Sequence, residues 1–335
     1  MLTMRRRSAL VLAVVGSLAL TACTAGGAEP ASSSTSADIT IAYLQKQADQ
    51  QYFVDEAEGA RSKAQELGGV AVQVVNLELD GNRALAELDA AIARGVDGIA
   101  IVTPDQRVGP QIHDRARRAG IPLIASDDPI RDGDRESVPF VGFDGVDLGA
   151  RVGQRMADLY REARWAQADT RILAVSSQDL SACADRVRGA QRAFADEVAD
   201  VPQVIEVDNQ NTIADAQART AALLAAQPGV EHWLLWGCND ENIAGALAAL
   251  RAADVAPADI IGIGIGGHLA CKDWGANRDT GFRAALYVDG RDVGALAVQS
   301  LVNQIRSGVE LPDRSIAKTT MLDRTNWQQT TLQCA

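Results

Sequence analysis

The chain has 335 residues, a formal net charge of -12 at pH 7 and a hydrophobic share of 47%. The acidic balance argues against nucleic acid as a partner, because the phosphate backbone attracts basic surfaces. The histidines are scattered and the cysteines show no CxxC spacing, so the sequence gives little support to a zinc site, and we expect no cofactor.

The first 22 residues predict a lipoprotein signal peptide. Arg5 to Arg7 form a basic start, Ser8 to Leu20 form a short apolar run, and Leu20-Thr21-Ala22-Cys23 has the small-residue pattern of a cleavage site that ends in cysteine. The apolar run is too short to cross a bilayer core of about 30 Å. The alternative is an ordinary secretory signal with a chance cysteine. We expect export, cleavage before Cys23 and a lipid on that residue, which would anchor the protein to the outer face of the cell membrane or in the periplasm.

Residues 23–37 are rich in Ala, Gly and Ser. A segment of this composition buries no core, so it is expected to act as a flexible tether. About 300 residues follow, which is long for one hydrophobic core and suits two lobes of ordinary domain size.

Short apolar runs alternate with amphipathic stretches through the first half of the remaining chain. The predicted strands are Ile39–Leu44, Val70–Val75, Gly98–Val102 and Pro122–Ala125, and the predicted helices are Asp55–Leu67, Arg83–Arg94 and Pro110–Ala119. This alternation is typical of a parallel sheet covered by helices on both faces.

The same rhythm restarts in the second half. Strands are predicted at Val138–Gly142, Ile172–Ser176, Val204–Val207, Trp233–Trp236, Ile260–Ile265, Phe282–Tyr287 and Ala317–Met321, and helices from near Val146, at Arg186–Asp200, Ala214–Ala226 and Ile243–Ala253, and from Asp289 or Gly290 to Ile305. We therefore predict an α/β fold of two doubly wound parallel-sheet lobes.

Polar side chains follow several of the predicted strands. Gln45-Lys46-Gln47 follows the first strand and Asp127-Asp128 the fourth, whereas Gly237-Cys238-Asn239-Asp240 follows a strand of the second half. Open α/β sheets bind ligands at the carboxyl ends of their strands. Charged and amide groups beside an aromatic ring suit a sugar, whose hydroxyls donate and accept hydrogen bonds and whose C–H face is apolar.

The segments VEHWLLWGCND (residues 230–240) and ADIIGIGIGGH (residues 258–268) resemble the type I periplasmic binding proteins of sugar ABC importers, most closely the L-arabinose binders. The resemblance extends from about Ile39 to Trp327. It implies a hinge of three chain segments near Phe143, Leu286 and Asp313. The implied lobes are residues 38–143 plus 286–313 and residues 144–285 plus 314–335.

The resemblance also implies ligand contacts in the first lobe. Lys46 matches a family lysine, Gln50 stands where the family has glutamate, and Tyr52, followed by Phe53, replaces a tryptophan. Asp127 and Asp128 match an aspartate pair, of which Asp128 is expected to bind the anomeric end of the sugar. The alternative for Asp127 is a helix cap or a loop hydrogen bond.

In the second lobe, Arg186 matches the family arginine that bonds the ring oxygen. Arg188 or Arg192 is the alternative if the helix begins elsewhere. Asn239 matches a family asparagine, and its alternative is a turn or cap residue. Gly266 is a departure, because the family has asparagine or aspartate there; it leaves space for water, for His268 or for a larger ligand.

The resemblance implies a monomeric solute-binding protein that captures a monosaccharide, namely L-arabinose or a related pentose, hexose or polyol, and delivers it to an ABC permease. A sensory protein with a receptor partner is the alternative. An enzyme is not expected: Asp127 and Asp128 are adjacent rather than opposed across a bond, and GxSxG, HExxH and P-loop motifs are missing from the sequence. The GxGxxG of residues 262–267 begins inside a late strand, where a dinucleotide fingerprint does not belong.

Besides Cys23 there are four cysteines, which allow three pairings. Cys183 lies three residues before Arg186 and Cys238 one residue before Asn239. A disulfide between these two would brace the wall of the expected pocket; the other two are Cys271 and Cys334.

Overall fold

The computed structural model describes residues 38–334. The predicted signal peptide, tether and lipidated Cys23 lie outside this range. In chain order the first lobe begins with β1 (Ile39–Gln45), α1 (Gln51–Leu67), β2 (Val70–Asn76), α2 (Gly81–Ala93), β3 (Gly98–Ile101), α3 (Gly109–Ala119), β4 (Leu123–Asp127) and β5 (Phe140–Gly142).

The second lobe follows without an intervening domain. Its elements are α4 (Gly145–Ala163), β6 (Thr170–Ser176), α5 (Ser181–Glu197), β7 (Gln203–Asp208), α6 (Ile213–Leu224), β8 (His232–Gly237), α7 (Asp240–Ala252), β9 (Ile260–Gly266), α8 (His268–Gly275) and β10 (Phe282–Val288). The chain ends with α9 (Gly290–Ser307), β11 (Arg314–Ile316) and β12 (Thr319–Leu322).

Each lobe contains one six-stranded sheet. The first has the order β11-β5-β4-β3-β1-β2 and the second has the order β12-β10-β9-β8-β6-β7. Neighbouring strands are parallel except for β12, which runs antiparallel to β10. Every residue of β9 is buried, as expected where helices cover both faces of a sheet. The predicted fold class of two doubly wound lobes with a three-segment hinge is confirmed.

Two of the three crossings differ from their predicted positions. The first lies after β5, at Phe143. β10 continues to Val288 in the second sheet, and Asp289 then caps α9, so the chain returns there rather than at Leu286. β11 still belongs to the first sheet, so the last crossing follows Ile316 rather than Asp313. β11 is a three-residue edge strand without an apolar run, and the sequence pattern therefore missed it.

Several helices begin earlier than predicted, and two of them, α1 and α5, carry residues of the expected site. α1 begins at Gln51, so Tyr52 lies in its first turn, and α5 begins at Ser181, so Arg186 lies in its second turn. α5 packs closely on α4, because a Cβ at Gly149 or Gly189 would overlap backbone atoms of the opposite helix. This contact fixes α5 against its lobe.

No helix within residues 38–334 combines the length and the apolar character needed to cross a membrane.

Candidate functional site

One cavity lies between the carboxyl ends of the two sheets. All nine predicted ligand residues line it: Lys46, Gln50, Tyr52, Phe53, Asp127, Asp128, Arg186, Asn239 and Gly266. The cavity is also lined by residues that were not predicted from the sequence: Leu180, Ala182, Asn211, Asp240, Glu241, Ile265 and Val288.

A buried ion pair forms part of the first-lobe wall. Lys46 follows β1 and Asp128 follows β4, and the Lys46 Nζ lies 2.6 Å from the Asp128 Oδ2. Their side chains are only 7% and 6% exposed. Each charge therefore satisfies the other in a place from which water is largely excluded, and both keep hydrogen-bonding capacity for a polar ligand.

Asp127 ends β4 with a positive φ of 57°. Its Oδ1 accepts a hydrogen bond from the Tyr52 hydroxyl at 3.1 Å, as the alternative of a hydrogen-bonded loop residue predicts. Asp127 also lines the cavity. Burial raises the pKa of Asp127, and the neighbouring Asp128 carboxylate adds to the rise, whereas Arg186 opposes it. The Tyr52 ring packs against Phe53 with the ring centroids 5.1 Å apart, which forms an aromatic wall.

Glu56, on α1, is a buried carboxyl group that lies behind the aromatic wall. Glu56 Oε1 accepts hydrogen bonds from the Tyr43 hydroxyl at 2.6 Å and from the Ser126 hydroxyl at 2.5 Å. Burial, followed by the Asp127 carboxylate, raises the pKa of Glu56 to about 8, against the opposing effect of the two hydrogen bonds. The group is therefore largely protonated at neutral pH. It links β1 to the end of β4, where the aspartate pair begins.

Arg186 supplies the charge of the second-lobe wall. Its Nη1 donates to the Cys238 carbonyl at 2.8 Å, and its Nε is buried with no partner among residues 38–334. Arg188 and Arg192 are exposed, and Arg188 pairs with Asp185 on the same helix. Of the three arginines, Arg186 is the one that lines the cavity.

Asn239 is a helix-cap residue that also lines the cavity. Its Oδ1 accepts from the Asn242 amide at 3.0 Å and so caps α7, while the residue lines the cavity. Next to it, burial and then the Asp240 carboxylate raise the pKa of Glu241 to about 7. The Asp240 Oδ2 accepts a hydrogen bond from the Leu269 amide at 2.9 Å and so satisfies a free N–H group in the first turn of α8.

Gly266 adopts a φ of 122°, a backbone conformation that strongly favours glycine. A side chain at this position would strain the backbone, so the loop conformation itself requires the glycine that departs from the family pattern. The space beside it is bordered by His268, whose Cδ2 would lie 3.7 Å from a Cβ at Gly266. α8, which begins at His268, was not predicted.

The structure joins Cys183 to Cys238 and Cys271 to Cys334. The first disulfide ties α5 to the end of β8 in the cavity wall, as the sequence suggested. The second ties the C-terminal segment to α8. Within residues 38–334, no three His, Cys, Asp or Glu side chains are grouped as metal ligands would be.

Similar proteins were found by sequence and by structure. The ABC transporter L-arabinose-binding periplasmic protein of Azospirillum brasilense is 28% identical over 302 residues, which covers 87% of this chain and 88% of that protein. The L-arabinose-binding periplasmic protein of Escherichia coli K12 is 26% identical over 298 residues, with coverages of 87% and 90%. A solute-binding protein of an ABC transporter from Actinobacillus succinogenes 130z, solved with bound D-allose, has a TM-score of 0.75 at 20% identity, covering 87% of this chain and all of that one.

These relatives are solute-binding proteins, so the expectation that the chain is not an enzyme is confirmed. The resemblance read from residues 230–268 is confirmed too, and it implies a protein exported from the cytoplasm. The family described as "Periplasmic binding protein domain" matches residues 41–308, which is most of the chain. The protein therefore belongs to the periplasmic binding protein family.

Proposed function

We propose that the protein captures a monosaccharide between its lobes and delivers it to the permease of an ABC importer, as a monomer anchored by a lipid on Cys23. L-Arabinose is the first candidate, and a related pentose, hexose or polyol is the wider class. The observation that carries this proposal is the single cavity into which one lobe brings the Lys46–Asp128 pair and the other brings Arg186. The names of the two arabinose-binding relatives support the choice of sugar.

The chemistry of the walls suits a ring of hydroxyl groups. Lys46 and Arg186 donate, Asp128 accepts, and the Asn239 amide has donors that its cap bond does not use. Hydrogen bonds to charged groups contribute about 1.5 to 3 kcal/mol each, so a few of them suit micromolar affinity, near -8 kcal/mol. The Tyr52 and Phe53 rings provide an apolar surface for the C–H face of the sugar.

Ligand contacts from both lobes explain how binding would be signalled. A sugar held by Asp128 on one side and Arg186 on the other stabilises the closed arrangement relative to an open one. Closure around a hinge is the usual response of such a two-lobed fold. The permease would then recognise the closed shape.

The binding proposal is tested by thermal shift and calorimetry on the soluble form that begins after Cys23. The panel is L-arabinose, D-allose, D-ribose, D-galactose and myo-inositol. A sugar at 100 times its dissociation constant should stabilise the protein by about 2.7 kcal/mol and be recovered unchanged. No stabilisation by any of them would contradict the proposal.

Arg186→Ala and Arg188→Ala form a matched pair of variants on one helix. Removing Arg186 should weaken sugar binding about 30- to 150-fold, because a charged partner worth about 2 to 3 kcal/mol is lost from a desolvated wall. Removing the exposed Arg188 should leave the affinity unchanged. Equal affinities in the two variants would remove Arg186 from the site.

The anchor is tested separately, by Cys23→Ser in the full chain. The variant should be released into the medium or stay unprocessed, and a lipid label should no longer be incorporated. Membrane retention through a processed N-terminus in this variant would contradict the lipid anchor and leave the sugar proposal intact.

A further inference from the structure

His268 is a buried cavity residue with one ring nitrogen held and the other unused. The side chain lines the cavity and the residue is 6% exposed. Its Nδ1 lies 2.8 Å from the carbonyl oxygen of Gln333, whereas its Nε2 has no hydrogen-bond partner among residues 38–334. A buried polar atom without a partner is uncommon in folded proteins and points to a ligand or a water.

The contact with Gln333 decides which nitrogen carries the proton. A backbone carbonyl can only accept, so Nδ1 must donate. In a neutral imidazole the other nitrogen, Nε2, then carries a lone pair and acts as an acceptor. Cδ2, which is bonded to Nε2, lies against the open space beside Gly266, so this edge of the ring faces the cavity.

The C-terminal segment, residues 330–334, holds this arrangement in place. Cys334 is joined to Cys271 of α8, one helical turn after His268. Leu332 is buried and packs on Gly267, where a Cβ would lie 3.2 Å from the leucine side chain. Thr331 Oγ1 lies 3.1 Å from the Tyr287 hydroxyl. The Gln333 carbonyl is thus fixed between a packed leucine and a disulfide.

We propose that His268 Nε2 accepts a hydrogen bond from a hydroxyl group of the bound sugar, and that residues 330–334 position the ring for this contact. The inference rests on the proposed function, which it refines by naming one recognition atom. Asp240 Oδ1 is also buried, has no hydrogen-bond partner within residues 38–334, and would lie 3.9 Å from a Cβ at Gly266, so it borders the same space. This corner of the cavity therefore offers acceptors and selects sugars that present a hydroxyl there.

The first test needs no sugar. Nitrogen-15 NMR of the three imidazoles at pH 8, where an ordinary histidine is neutral, reports the tautomer of each ring. The signal lost in His268→Gln identifies His268. A proton on Nδ1 and a bare Nε2 are expected; a proton on Nε2 would overturn the inference whether or not the protein binds sugars.

The second test measures the contact itself by calorimetry with L-arabinose and its 2-, 3- and 4-deoxy analogues. In the wild type, the analogue that lacks the contacting hydroxyl should bind about 5- to 100-fold more weakly than L-arabinose. The His268→Ala variant should bind L-arabinose more weakly by a similar factor, and its affinity for that analogue should be no lower than that of the wild type. His268→Gln, which keeps an acceptor oxygen, should retain more affinity than His268→Ala. If His268→Ala lowered the affinity for L-arabinose and for every deoxy analogue by the same factor, the proposed contact would be overturned.

A matched control is His113→Ala, on α3 of the first lobe and outside the cavity, which should bind L-arabinose as the wild type does. If the wild type binds no L-arabinose, the proposed function loses its first candidate and the tautomer measurement alone decides the inference.

The third test addresses the C-terminal segment. Cys271→Ser with Cys334→Ser, or a chain that ends at Gln329, should weaken L-arabinose binding and replace the single His268 tautomer by a mixture. Circular dichroism checks that both variants keep their secondary structure. An unchanged affinity together with an unchanged tautomer would show that the segment does not position the ring.

Discussion

The buried Lys46–Asp128 pair allows a quantitative prediction about the first lobe without any sugar present. Lys46→Met removes the ammonium group and keeps much of the side-chain volume. The Asp128 carboxylate, 6% exposed, then loses its partner at 2.6 Å. Breaking a buried pair on one side costs about 3 to 5 kcal/mol, because an uncompensated charge stays behind. We expect a loss at the lower end of this range, about 3 kcal/mol, in the free energy of unfolding.

The double variant Lys46→Met with Asp128→Asn tests whether the loss of stability comes from the unpaired Asp128 charge. Once the Asp128 charge is also gone, the substitution of Lys46 leaves no unpaired charge behind, and the double variant should regain most of the lost stability. Its ligand binding should still be impaired, because both groups line the cavity. The expected pattern is thus a destabilised single variant and a nearly stable but weakly binding double variant.

Urea unfolding followed by far-UV circular dichroism is the appropriate assay. Every tryptophan of the chain lies at residue 165 or later, so tryptophan fluorescence would report the second lobe and miss the change. Arg83→Met is the matched control in the same lobe, because it breaks an exposed pair with Glu78 and should cost less than about 1 kcal/mol. A cost for Lys46→Met no larger than that of Arg83→Met would refute the reasoning.

Two further predictions separate stability from binding. The pKa of Glu56 is raised from 4.5 to about 8 in the folded protein. Between these pH values the folded protein therefore holds more protons than the unfolded chain. The free energy of unfolding should fall as the pH rises through this window, by at most about 1.4 kcal/mol per pH unit. Glu56→Gln keeps the acceptor for Tyr43 and Ser126 and should flatten the fall in thermal scans from pH 5 to 8.5; parallel profiles would speak against it. Asn239→Asp should keep the cap of α7 but lose the amide donor, so L-arabinose binding should fall at unchanged stability, whereas Asn239→Ala should also lose about 1 kcal/mol of stability. Normal calorimetric affinity in Asn239→Asp would remove the amide from the site.

Much of the fold and the grouping of the candidate site could be predicted from the sequence. Buried parallel strands are short apolar runs, and the polar residue after such a run must emerge at the carboxyl edge of its sheet. Lys46, Asp128 and Asn239 each follow a strand in this way, and the resemblance to the sugar binders assigned the edges of both sheets to one cavity. The glycine-rich β9 was recognised from the same kind of pattern and from the resemblance.

The tertiary structure decided what depends on contacts between distant segments. The edge strand β11 has no apolar run, and its place in the first sheet depends on pairing with β5. Glu56 looked like an ordinary helix glutamate until folding buried it against Tyr43 and Ser126. The pairing of Cys271 with Cys334, and with it the bond that holds His268, joins residues 63 positions apart. Periodicity reports how each segment faces its own core, whereas proximity between segments arises only when the whole chain packs.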